Sequence, residues 1–110
     1  MALMRATPRI VLDLHIRVSA ANRAGLFAFL RRAIPYYERP GGIRVCVFED
    51  RADASRLIER IEYSDVNAFD RDQVRVAEDP EMKRWLDEWR GLLEGPPRVR
   101  VYSEVPLENG

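Results

Sequence analysis

The sequence predicts a single α+β domain in which helices cover one face of a four-stranded antiparallel sheet. Three observations predict it. Period-two hydrophobic alternation recurs in four segments, and helical-period apolar stripes with good capping residues lie between them. The segments follow in the order β-α-β-β-α-α-β. The chain has 110 residues, the length of one domain, and no shift in composition divides it, so residues 1–110 are taken as one unit.

The first strand covers residues 9–18. Ile10, Leu12, Leu14, Ile16 and Val18 fall on one side; Arg9, Val11, Asp13, His15 and Arg17 fall on the other. Ser19 then offers an N-cap oxygen to a helix whose stripe is Leu26, Phe29, Leu30, Ala33 and Tyr37. Pro35 lies inside that pattern and predicts a kink or break near Ala33 or Ile34, because its ring crowds the carbonyl four residues back. Pro40-Gly41-Gly42 ends the segment.

Residues 43–49 form a second strand with Ile43, Val45 and Val47 on one side. A short polar turn leads to a third strand at about 55–63, which predicts a hairpin. Alternation is poor there. Leu57, Ile61 and Tyr63 share a side with Glu59, and Ile58 shares one with Arg56, Arg60 and Glu62, so the register stays open.

Ser64 and Asp65 can cap a second helix with Val66, Phe69, Gln73 and Val76 on its stripe. Asp79-Pro80-Glu81 is a strong start for a third, carrying Met82, Leu86, Trp89 and Leu93, flanked by Trp85 and Leu92. Gly95 suits the left-handed position after it, and Pro96-Pro97 forbid continuation. Val99, Val101 and Val105 alternate in a last strand, and residues 1–8 and 106–110 read as flexible tails. With the helices on one face, this order gives a ferredoxin-like split βαβ sandwich.

Composition narrows the function classes. Eighteen basic residues balance eighteen acidic ones, and the arginines are scattered, so neither a nucleic acid nor a membrane surface is an expected partner. No apolar run is long enough to span a bilayer, and the start lacks the apolar stretch of a secretory signal, which makes the cytoplasm the default compartment. Cys46 is the single cysteine, so no intrachain disulfide forms; it reads as a small buried hydrophobe. With one His, one Cys and no ligand-like spacing of acids, neither a metal nor another cofactor is expected.

Glu59-Arg60-Ile61-Glu62-Tyr63-Ser64-Asp65, followed by Ala68-Phe69, resembles the strand-end motif of the antibiotic-biosynthesis monooxygenase-like group of dimeric α+β barrel proteins. Asp79-Pro80-Glu81-Met82 and the closing strand are similar too, and the resemblance covers roughly residues 10–105. It implies a homodimer paired sheet against sheet, with a small molecule held between sheet and helices. It also implies one of several activities: cofactor-free oxygenation of aromatics, haem degradation, or chemistry on quinones or signalling molecules. The oxygenating branch places Asn and Trp on the third strand where this chain has Glu59 and Tyr63, and a helix aromatic with a hydroxyl where it has Phe69. The helix His of many members corresponds to Asp72, and no His follows His15, which argues against haem chemistry.

Glu59, set among Leu57, Ile61 and Tyr63, would be desolvated, and a desolvated carboxylate becomes a proton acceptor near neutral pH. A one-residue slip of the strand would instead leave it solvated and paired with Arg. Tyr63 is the candidate hydrogen-bond donor beside it. Tyr36, Tyr37, Phe69, Trp85 and Trp89 are candidate substrate-binding residues, although Trp at helical spacing is more commonly core. His15, in a row with Asp13 and Arg17, could bind substrate or serve as a base; the plainer reading is that this row faces solvent or a partner subunit. The expected function is therefore a homodimer binding an aromatic or quinone-like molecule, as a cofactor-independent monooxygenase or isomerase. The alternative is a non-enzymatic ligand-binding or structural dimer.

Overall fold

The computed structural model describes residues 8–107. Its elements are β1 (Ile10–Arg17), α1 (Ala20–Glu38), β2 (Ile43–Asp50), β3 (Asp53–Tyr63), α2 (Val66–Glu78), α3 (Pro80–Gly91) and β4 (Arg98–Ser103). The four strands form one antiparallel sheet in the order β2-β3-β1-β4. This is the ferredoxin-like order, in which each βαβ half contributes one central and one edge strand. Among the described residues no helix is long and apolar enough to cross a membrane.

The register separates the two faces. Leu12 lies opposite Ile61, Leu14 opposite Glu59 and Ile16 opposite Leu57, so these side chains all point toward the helices. Ile16, Val18 and Leu57 meet Leu26, Phe29, Leu30 and Ala33 of α1, and Met82 and Trp89 of α3, in the main core. Ile10, Leu12, Tyr63 and Ala68 make a smaller cluster under α2. Among the described residues the opposite face of the sheet carries no helix, and it is the open face.

Several local expectations are corrected. α1 runs unbroken through Pro35. The proline is exposed, and the one backbone bond it gives up lies close to the helix end. α2 buries Ala68 and Asp72, while Val66 and Val76 of its apolar stripe are exposed. The helix is rolled because Asp72 has a buried polar partner, described below, that a hydrophobic pattern cannot register. α3 closes at Gly91 with Leu92 as its C-cap, so Gly95, at φ 83°, serves the later turn instead. β3 begins at Asp53, and β4 stops before Val105. Cys46 is half-buried, on the open face opposite Arg60. The predicted tails fall mostly outside the described residues.

Caps form where the sequence places them. The Ser19, Asp65 and Asp79 side chains accept from the amides of Asn22, Ala68 and Glu81. Between α1 and β2 the chain turns through two left-handed glycines, Gly41 (φ 85°) and Gly42 (φ 74°). Gly42 also touches the start of α2: the Ser64 amide donates to its carbonyl at 2.9 Å, and a Cβ there would stand 2.9 Å from Ser64 Oγ and 3.3 Å from Ala68 Cβ. At Gly41 a Cβ would meet nothing within 4 Å. Gly41→Ala should therefore cost only the left-handed backbone penalty, about 1–2 kcal/mol, whereas Gly42→Ala adds a steric conflict and should cost about 1 kcal/mol more. Urea unfolding of the two variants measures the difference, and equal midpoints would contradict it.

Candidate functional site

β3 carries Glu59 into the interior. The side chain sits opposite Leu14 on one side and Val47 on the other and is 2 % exposed. It borders a cavity of about 50 Å³ between the sheet and α2–α3. Leu14, Ile43, Ile61, Met82 and Leu86 form its apolar wall, and Tyr37, Asp72 and Trp89 add polar atoms. The volume suits roughly one or two water molecules.

Burial among these groups pushes the Glu59 carboxyl from its ordinary 4.5 up to about 7, because the charged form is poorly solvated there. The indole of Trp89 pulls the value back only in part. Among the described residues neither Glu59 Oε1 nor Trp89 Nε1 completes a hydrogen bond, although both are buried. An unpaired buried carboxylate oxygen next to a void is available to a guest. The Tyr37 phenol is pushed up by burial first, then by the charge of Glu59.

A second polar chain borders the same cavity. Tyr63 Oη donates to Asp72 Oδ2 at 2.5 Å. Asp72 Oδ1 lies 3.5 Å from Arg75 Nε, and Arg75 donates to the carbonyls of Tyr36 and Tyr37 at 3.2 and 3.0 Å. A cation thus caps the C-terminal end of α1 from α2. Tyr36 Oη in turn donates to the Asp79 carboxylate at the start of α3. Burial, then the bond to Asp72, holds the Tyr63 phenol well above the usual tyrosine range.

Of the candidates drawn from sequence, Glu59, Tyr37 and Trp89 meet at the cavity. Tyr63 reaches it through Asp72. Phe69 packs edge-on against Tyr63 at 5.3 Å, and Trp85 packs with Phe29 and Tyr36 at 5.7 and 5.8 Å, so these rings support the wall from behind. Tyr36 is engaged with Asp79. His15 lies on the open face, separated from Glu59 by the sheet. Asp72 stands where the resemblance puts a helix His, and its role as the tyrosine's acceptor went unread. The signal was present: Ala68, Asp72 and Arg75 share one side of α2 at i, i+4 and i+7. Among the described residues no three His, Cys, Asp or Glu side chains gather as a metal set.

No protein-family model matches the sequence, and no curated protein matches it significantly. Solved structures do match. A candidate antibiotic biosynthesis monooxygenase from Bordetella bronchiseptica aligns with TM-score 0.74 and 18% identity, over 90% of this chain and 99% of that one. A second such candidate, from Deinococcus radiodurans, gives TM-score 0.71 and 15% identity over 91% and 96% of the two chains. The fold is antibiotic biosynthesis monooxygenase-like. SnoaB, a cofactor-independent oxygenase from Streptomyces nogalater studied as a point mutant, also shares it, with TM-score 0.71 and 15% identity over 87% and 92% of the chains. Identities this low establish the monooxygenase-like architecture alone.

The raised Glu59 value has a measurable consequence. Below pH 4.5 folded and unfolded chains both hold this proton; between 4.5 and about 7 only the folded chain does. Stability from this group is therefore full at low pH and falls as pH rises through that window, by about 3 kcal/mol in all. Glu59→Gln should remove that decline. Urea unfolding from about pH 4.5 to about pH 8 compares the two proteins, and parallel profiles would refute the assignment.

Proposed function

We propose that the protein binds a small phenolic or enolic molecule against Glu59 and takes a proton from it. This is the opening step of a cofactor-independent oxygenation or isomerisation. The observation that carries the reading is the Glu59 carboxylate, buried beside a void with one oxygen unpaired and its pKa raised to about 7. Such a base is half-ionised near neutral pH and, among the described residues, has no salt-bridge partner to weaken it. Tyr37 supplies a phenolic O–H on the same wall, and Tyr63 fixes Asp72 there. The neighbouring SnoaB structure is that of a cofactor-independent oxygenase, which makes this chemistry a reasonable one for the fold.

The cavity limits what enters. At about 50 Å³ it is far below the several hundred Å³ of ordinary ligand clefts, so an aromatic guest requires α2 and α3 to move off the sheet. Val76, on α2, is the exposed residue of the wall and so marks the entrance. The tight interior is also the observation that favours the second reading, a non-enzymatic structural module.

In either case we propose pairing with a second copy through the open face. On that face Phe48 and, opposite Val11, the β4 side chain Tyr102 are each about half exposed in one chain. Sedimentation should give a dimer at micromolar concentration, and a monomer would end this part of the proposal. Turnover of a panel of hydroquinones should fall by about 10²-fold or more in Glu59→Gln, and the wild-type rate should rise with pH through about 7. Equal rates for the two proteins would leave the structural reading standing.

A further inference from the structure

We infer that Asp72 is the outlet for the proton held on Glu59, reached through water bound in the cavity that both residues line. The step follows, and rests on, the proposed action of Glu59 as a base. A base that takes a proton in each cycle must lose it before the next. Glu59 is 2 % exposed, so its carboxyl has no direct way to bulk water.

Four buried side-chain atoms complete no hydrogen bond among the described residues: Glu59 Oε1, Trp89 Nε1, Asp72 Oδ1 and Arg75 Nε. Glu59, Trp89 and Asp72 line the same cavity, and Arg75 lies against Asp72 at 3.5 Å. Buried polar atoms are rarely left unpaired, and a group of them around a void is the setting in which ordered water is held. The set is balanced, with two acceptors and two donors. A cavity of about 50 Å³ has room for such water, and these atoms supply the partners it needs.

The lining leaves one exit. Besides Glu59, the polar residues of the wall are Tyr37, Asp72 and Trp89. An indole N–H donates but cannot accept a proton. The Tyr37 phenol passes a proton on only by releasing its own, and burial, then the charge of Glu59, opposes that release. Asp72 has an open acceptor: Tyr63 donates to Oδ2 at 2.5 Å and leaves Oδ1 without a hydrogen bond. Its side chain is 8 % exposed, and Val76, one helical turn further along α2, is the exposed residue of the wall. Asp72 therefore stands between the cavity and its entrance.

Between guests the transfer balances. The Glu59 carboxyl gives its proton to a bound water, that water gives one of its own to Asp72 Oδ1, and Asp72 releases it to bulk water at the entrance. Glu59 returns to carboxylate, Asp72 ends as it began, and no electrons move. Tyr63 and Arg75 already favour the charged form of Asp72, so it carries the proton only in passing. Asp72 acts through water and need not touch the guest.

NMR of the whole chain, isotope-labelled at the glutamate side-chain carboxyls and free of substrate, tests the relay. At about pH 7 the Glu59 signal reports exchange between its acid and carboxylate forms. Asp72→Asn keeps the side chain's shape but has no carboxylate to take the proton, and should slow that exchange roughly tenfold or more. Ala68→Gly loosens the same helix without removing a polar side-chain atom and should leave the exchange rate as it was. On the unaltered protein, a dipolar cross-peak between water and the Trp89 indole N–H should appear, which keeps the test valid should Asp72→Asn fold poorly. Unchanged exchange in Asp72→Asn, equal slowing in Ala68→Gly, or no water contact at the indole would each overturn the relay. Exchange that depends on Asp72, with no hydroquinone turnover, would support the relay and end the proposed reaction instead.

Discussion

β3 is hydrogen-bonded on both sides, to β1 over its full length and to β2 from Ile43 onward, so its register is fixed twice. Sliding it by one residue would have to break both ladders and would turn Leu57, Ile61 and Tyr63 outward. That constraint is strong enough to hold Glu59 in an apolar interior against the cost of desolvating it. The hydrophobic residues on either side of it set the strand's orientation, and the carboxylate follows. The same constraint aims Arg56, Ile58, Arg60 and Glu62 at the open face. The Glu59 site and the open face are therefore opposite sides of one strand, and neither needs a specialised loop.

The helices are positioned by polar contacts as much as by grease. Tyr63, Asp72 and Arg75 connect the end of β3 through α2 to the last carbonyls of α1, and Tyr36 with Asp79 connects α1 to the first turn of α3. The Tyr63–Asp72, Arg75–carbonyl and Tyr36–Asp79 links are charge-assisted hydrogen bonds, the first of them buried, while Asp72 and Arg75 meet as an ion pair at 3.5 Å. The chain bounds the cavity on its polar side. Movement of α2 and α3 to admit a guest would strain these bonds before it disturbed the main core, so they set how far the cavity can widen.

The element order, the helix starts and most core residues were legible because period, capping oxygens and breakers are local signals. The cap at Asp79-Pro80 needs only three residues to read. What the sequence left open depends on partners distant along the chain. Glu59 could be placed inward or outward only by knowing which ladders hold β3. Asp72 carries no local sign of its partner, Tyr63, nine positions away. Pro35 is tolerated because it lies on the solvent side near a helix end, a fact of packing. Of the aromatic residues expected near a ligand, those whose rings pack on other rings became scaffold, and sequence carries no sign of which ring a neighbour will claim.

β4 gives the sheet hydrogen bonds but almost no interior side chains: all six of its residues are exposed, and among the described residues it pairs only with β1. Its detachment would open a single ladder and leave the packed interior intact. The edge is thus the part of the molecule most readily lent to another chain, whether as a strand exchanged between copies or as a template for an unrelated extended segment. It carries Arg98 with it. A strand lent in this way would take Arg100 and Tyr102 along too, so that what the open face offers a second copy depends on where that edge is engaged.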